Sequence, residues 1–117
     1  MKNNNTSTVL ILGNARGGKL TDALYDLGYL PVVRGNMLAA LEAIRHSRFR
    51  AIFFDQNPTN VDVLEFILNI RDFDEQTPIF VMKSAIRKSE SELTVKQKNV
   101  LLLESIDELL ELEPGEG

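Results

Sequence analysis

The sequence predicts an α/β domain: a three-layer, doubly wound, five-stranded parallel sheet with helices on both faces. Three observations predict it. Short, wholly apolar runs recur five times, and such runs mark strands buried on both faces rather than one. Between them lie segments whose apolar residues recur at helical spacing. The 117 residues are one domain's worth of chain, enough to bury a core unaided. With right-handed crossovers this alternation closes into a doubly wound sheet.

Val9-Leu10-Ile11-Leu12 is the first strand, closed by Gly13-Asn14, and the polar residues 1–8 before it are expected to be a disordered arm. Leu20, Ala23, Leu24 and Leu27 follow at helical spacing, and Gly28 sits where a helix stops. Leu30-Pro31-Val32-Val33 is the second strand, and its proline, which lacks a ladder donor, points to a sheet edge. Asn36 can cap a second helix, with Leu38, Leu41 and Ile44 as its buried stripe. Ala51-Ile52-Phe53-Phe54 is the third strand and ends in Asp55, before the loop chemistry of Gln56 to Asn60. A third helix is expected to turn Val61, Leu64, Ile67 and Leu68 inward. Pro78-Ile79-Phe80-Val81-Met82 is the fourth strand, and Ser89 with Glu92 has the capping-box spacing that opens a fourth helix. Val100-Leu101-Leu102-Leu103 is the fifth strand. Ser105 and Glu108 form a second such box, opening a final helix to about Leu112. The domain is therefore placed at residues 9–112, with a flexible tail at 113–117.

Composition removes several kinds of chemistry. There is no cysteine, which excludes disulfides, a thiol nucleophile and thiolate metal sites. A single histidine, His46, excludes a multi-histidine metal centre, and its place near the end of the second helix suits a solvated side chain. Asp+Glu outnumber Lys+Arg by 17 to 13, and the net charge of -4 argues against a nucleic-acid partner. No apolar run is long enough to span a membrane, and the polar start lacks the apolar region of a signal peptide. The expectation is a cytoplasmic protein, with neither nucleic acid nor membrane as partner.

In sheets of this kind ligands bind beyond the carboxyl ends of the strands. The residues standing there are Gly13 and Asn14, Gly35 and Asn36, Asp55 to Asn57, Lys83 and Ser84, and Glu104 and Ser105. Asp55 reads either as a nucleophile or metal ligand, or as a strand-end aspartate that caps the next turn. Gly13-Asn14-Ala15-Arg16-Gly17-Gly18-Lys19-Leu20 comes close to a P-loop, but Leu20 stands where a hydroxyl would hold Mg²⁺. Nucleotide or anion binding by Gly13 to Lys19, with Arg16 and Lys19 as the cations, is the alternative from another class. Charge is also segregated. Lys83, Arg87, Lys88, Lys96 and Lys98 form a basic stretch, and Glu104, Asp107, Glu108 and Glu111 an acidic one. These are either solvated faces or a self-complementary surface.

Taken in order, these stretches resemble the receiver domain of bacterial response regulators over about residues 8–112. The resemblance is carried by Val9 to Leu12, Leu27-Gly28-Tyr29 with the strand after it, Ala40 to Ile44, Ala51 to Asp55, and Leu64 to Arg71 with Thr77 to Met82. It implies a flavodoxin/CheY-like fold with strand order 2-1-3-4-5 and places Asp55 at the phospho-acceptor position. It also marks departures. The acidic pair that holds Mg²⁺ in the family is here Gly13 and Asn14. The Thr or Ser after the fourth strand is Lys83, with Ser84 one step on, and the lysine after the fifth strand is Glu104. Asn57 is left to offer a carbonyl, and Lys83 could supply missing charge or pair with Asp55. The resemblance thus implies a degenerate receiver in two-component signalling. Such a module is not an enzyme, has no cofactor and only doubtful Mg²⁺ binding, and acts by protein–protein interaction. The expected surface is the fourth helix, fifth strand and fifth helix, including Arg87, Lys88, Lys96, Lys98, Asp107, Glu108 and Glu111. Its expected partners are a histidine kinase, an output protein or a second copy. The alternative is a functional phospho-acceptor at Asp55.

Overall fold

The structure is a computed structural model, and it describes residues 7–13, 18–55, 62–105 and 107–108. Among the described residues five strands and four helices alternate: β1 (Thr8–Leu12), α1 (Lys19–Asp26), β2 (Leu30–Arg34), α2 (Met37–His46), β3 (Ala51–Phe54), α3 (Val63–Arg71), β4 (Ile79–Met82), α4 (Lys88–Val95) and β5 (Val100–Leu103). A 3₁₀ turn, Lys83–Ala85, joins β4 to α4. All neighbouring strands are parallel, and the sheet order is β2-β1-β3-β4-β5. The expected architecture and order are therefore present. The final helix expected to about Leu112 lies outside the described residues from 109 on; within them Glu108 donates its amide to the carbonyl of Ser105 at 3.2 Å. The Gln56 to Asn60 loop and Val61 lie outside them as well.

The central strands β1, β3 and β4 carry no polar alternation because both of their faces are covered, whereas the edge strands β2 and β5 are partly exposed. Leu10, Leu12, Ile52, Phe54, Ile79 and Val81 pack with Ala40, Ile44, Phe66, Ile67 and Ile70 of α2 and α3. Val9, Ile11, Phe53, Phe80, Met82 and Leu103 pack on the opposite face with Leu20 and Leu24 of α1. Every residue of β3 and β4 is buried. At the β2 edge, Leu30 donates to Ser7 at 2.9 Å and Arg34 accepts from Gly13 at 3.0 Å, so both bond towards β1. Alternation turns Pro31 and Val33 to the free edge, where the missing proline N–H blunts pairing with another chain.

Helix ends follow their chemistry. Gly28, at φ +96°, ends α1 in a Schellman turn: its amide bonds to Tyr25 and that of Tyr29 to Leu24, both at 2.9 Å. Asn36 caps α2 by accepting from the amide of Ala39 at 2.8 Å. Asp62 does the same for α3, accepting from the amides of Leu64 at 3.0 Å and Glu65 at 3.2 Å.

Three local expectations are corrected. The buried residues of α2 are Ala40 and Ile44, flanked by Met37 and Leu41, whereas Leu38 is 77% exposed. In α3 the buried set is Val63, Phe66, Ile67 and Ile70, and Leu68 faces solvent. Helix α4 starts at Lys88, not at a Ser89 cap. Its N-cap is Arg87, whose amide donates to the Glu90 carboxylate at 2.8 Å. Arginine has no side-chain acceptor to return the bond, so only the acidic half of a capping box is made.

Candidate functional site at the carboxyl edge of the sheet

Register assembles the site. Leu12 pairs with Phe54, so Gly13 and Asp55 emerge side by side from β1 and β3, and the amide of Asp55 donates to the carbonyl of Leu12 at 3.0 Å. Phe54 pairs with Val81, and Met82 with Leu103, so Lys83 and Glu104 emerge together from β4 and β5. The topology therefore gathers Gly13, Asp55, Lys83, Ser84 and Glu104 at one edge. Asn14, Asn57 and Arg16 lie outside the described residues.

Asp55 is half-buried, and burial pushes its carboxyl above the usual 3.8. Desolvation penalises the charged form, and no opposing cation among the described residues pulls the value back. Gly13 is buried and has no side-chain oxygen to offer, and its amide is taken by the carbonyl of Arg34 at 3.0 Å. Among the described residues no three Asp, Glu or His side chains gather into a metal-binding set. A hard divalent cation needs several oxygens. The described donors at this edge, with Asp55 the carboxylate beside Gly13, do not fit that demand.

Lys83 does not pair with Asp55. Its Nζ lies 3.0 Å from Oε2 of Glu104, and the two side chains are 51% and 69% exposed. A pair so wet contributes at most about 1 kcal/mol. What it settles is charge placement: the ammonium at the end of β4 is claimed by the carboxylate at the end of β5. Glu104 is tied further, because its amide donates to the carboxylate of Glu108 at 2.9 Å. This Glu104–Glu108 bond replaces the Ser105–Glu108 box expected there. Sequence reasoning named Lys83 and Glu104 singly but missed their pairing. The Met82–Leu103 register is the signal that finds it.

A second surface lies along α4 and β5. Leu93, Val95 and Leu101 are exposed apolar side chains there, among the exposed Arg87, Lys88, Lys96 and Lys98. Asp107 is exposed, and the Glu108 carboxylate is engaged with Glu104. Glu111 lies outside the described residues. His46 ends α2 exposed, with Nδ1 2.8 Å from the Glu42 carbonyl. Among the described residues no helix is long and apolar enough to cross a membrane.

No protein-family model matches the chain, and no curated protein matches it either. Solved structures do match. The receiver domain of the sensor histidine kinase PA1611 from Pseudomonas aeruginosa, solved with magnesium in its active-site cleft, superposes with a TM-score of 0.71 and 17% identity, over 92% of this chain and 94% of that one. Vibrio cholerae chemotaxis protein CheY4 gives a TM-score of 0.75 and 19% identity, over 92% and 96%. The beryllofluoride-activated NtrC4 receiver domain dimer gives 0.74 and 19%, over 92% and 93%. At these identities the likeness is one of fold. The chain's structural neighbours are response-regulator receiver domains, and its five-stranded 2-1-3-4-5 sheet has the CheY-like fold.

Proposed function

We propose that this chain is a receiver-like module of bacterial two-component signalling that works by protein–protein contact, without Mg²⁺-dependent phosphorylation of Asp55. The observation that carries this reading is the Lys83–Glu104 pair at the carboxyl edge. Phosphoryl transfer to a carboxylate gathers negative charge that a metal ion and a lysine must neutralise. Here the position after β5 carries an anion, and that anion takes up the nearby ammonium. Gly13 supplies no carboxylate, and burial makes a charged Asp55 more costly to hold. Such a module binds and signals, and is not itself an enzyme.

The α4–β5 face is the contact surface this reading assigns. Its described charge is mixed, Arg87, Lys88, Lys96 and Lys98 standing with Glu90, Glu92 and Asp107, and Leu93, Val95 and Leu101 are its apolar anchors. A charged face with apolar anchors suits a protein partner, a kinase, an output protein or a second copy.

The test is intact-protein mass spectrometry after incubation with acetyl phosphate and Mg²⁺. The expected result is an unchanged mass. A phosphoryl adduct that disappears in Asp55→Asn overturns the reading and makes Asp55 a working acceptor.

A further inference from the structure

The amino edge of the sheet, opposite the Asp55 site, carries a groove that the receiver-like reading leaves unused. It lies where the end of α2 leads into β3 and the segment after α3 leads into β4, between residues 44–49 and 72–77. Phe73 is 40% exposed in it, and the guanidinium of Arg45 sits over the Phe73 ring at 5.2 Å from the centroid. The two lips differ in sign. One holds the exposed Arg45 and Arg48, the other the exposed Asp72 and Glu75. Arg48 and Asp72 make no side-chain ion pair among the described residues, so both keep their charge available for a contact. Asp74 is spent internally, accepting from the Thr77 hydroxyl at 2.6 Å and from the amides of Gln76 and Thr77.

We propose that this groove is where two copies of the chain pair, about a two-fold axis passing near Phe73. Such an axis sets the basic lip of each copy against the acidic lip of the other and brings the two Phe73 rings together. A self-complementary patch of this kind is what an isologous dimer requires. A partner of one sign would be attracted by one lip and repelled by the other, which selects against it. The groove and the α4–β5 face are separate surfaces, so pairing leaves that face free for a different protein. The inference does not depend on the state of Asp55.

Sedimentation velocity of the full chain, across concentration at low and high salt, tests it. The expected result is a monomer–dimer equilibrium that weakens as salt rises. Arg48→Glu and Asp72→Lys are each expected to raise the dimer dissociation constant by about tenfold or more. Their equimolar mixture is expected to dimerise again, because each variant then supplies the charge the other lacks. Both sites are exposed, and a lysine at the end of α3 suits the helix dipole, so both chains are expected to fold. Restored dimer in the mixture is its own proof of folding, and the salt dependence of the wild-type chain decides without any variant. A monomer at every concentration and salt overturns the proposal. So does a dimer that survives both reversals, or one lost in Lys96→Glu/Lys98→Glu instead. A phosphoryl adduct on Asp55 would overturn the functional reading and leave this one standing.

Discussion

Two aspartates show how position alone separates the behaviour of one side chain. Asp74 is held below the usual carboxylate range. Burial opposes that, but the Thr77 hydroxyl and the amides of Thr77 and Gln76 outweigh it, with the charge of Arg71 helping. Asp55 has burial without such donors and moves the other way. The sign of its effect on stability follows. Well below pH 3.8 it is neutral in both folded and unfolded chain and exacts no penalty. As pH rises from there, the unfolded chain gives up the proton first, so stability falls until the folded-state carboxyl has titrated. Asp55→Asn is therefore expected to raise the melting temperature at pH 7, with the gain shrinking to nothing below about pH 4. Thermal melts of both proteins at several pH values check it. Equal melting temperatures at pH 7 would show that Asp55 has a cationic partner. Asp55 was legible in the sequence because an aspartate directly after a four-residue apolar run has nowhere to stand but the sheet edge. The partner of Lys83 was not, because Glu104 is 21 residues away and only strand order and register bring the two together.

At the scale of elements, the strands were legible and the helix faces were not. A strand buried on both sides needs only an unbroken apolar run, as β3 and β4 show, and β5 lies within its run too although Leu101 is exposed. Helix phase is harder to read where apolar residues crowd one turn. Met37-Leu38-Ala39-Ala40-Leu41 offers several stripes of equal merit, and packing on the sheet chooses the one through the small Ala40. Val63-Leu64 and Ile67-Leu68 present the same ambiguity in α3, resolved in favour of Val63 and Ile67. The start of α4 was missed for another reason. Ser89 is the better capping side chain, but the 3₁₀ turn after β4 starts the helix earlier and leaves Glu90 to satisfy the first amide. The corrected phase of α2 makes a quantitative prediction. Leu38→Ala is expected to change stability by no more than about 0.5 kcal/mol, as for other exposed positions. Ile44→Ala, at 6% exposure, is expected to cost about 2–5 kcal/mol. Urea unfolding of the two variants decides it, and a larger loss at Leu38 would restore the original stripe.

Taken as a whole, the molecule is a sheet separating two cores, and the separation has an energetic signature. Phe54 meets Phe66 on the α2–α3 side, with ring centroids 6.0 Å apart and planes tilted by 42°. Phe53, one residue earlier, points to the other side and stacks on Phe80 at 5.0 Å. Both pairs are nearly dry, so each ring contact adds about 0.5–1.5 kcal/mol beyond the area it buries. Residues that share a core should therefore couple, and residues divided by the sheet should not. A double-mutant cycle on Phe54→Leu and Phe66→Leu is expected to give a coupling of about 0.5–1.5 kcal/mol. The cycle on Phe53→Leu and Phe66→Leu is expected to be additive within about 0.5 kcal/mol. Leucine rather than alanine keeps the double variants within the roughly 5–15 kcal/mol of stability that a domain of this size has to lose. Urea unfolding of the five variants and the parent measures both cycles. Equal coupling in the two would mean that the cores relax as one body through the sheet. Coupling confined to the first would establish the sheet as the divider, with the Asp55 edge and the Phe73 groove at its two ends.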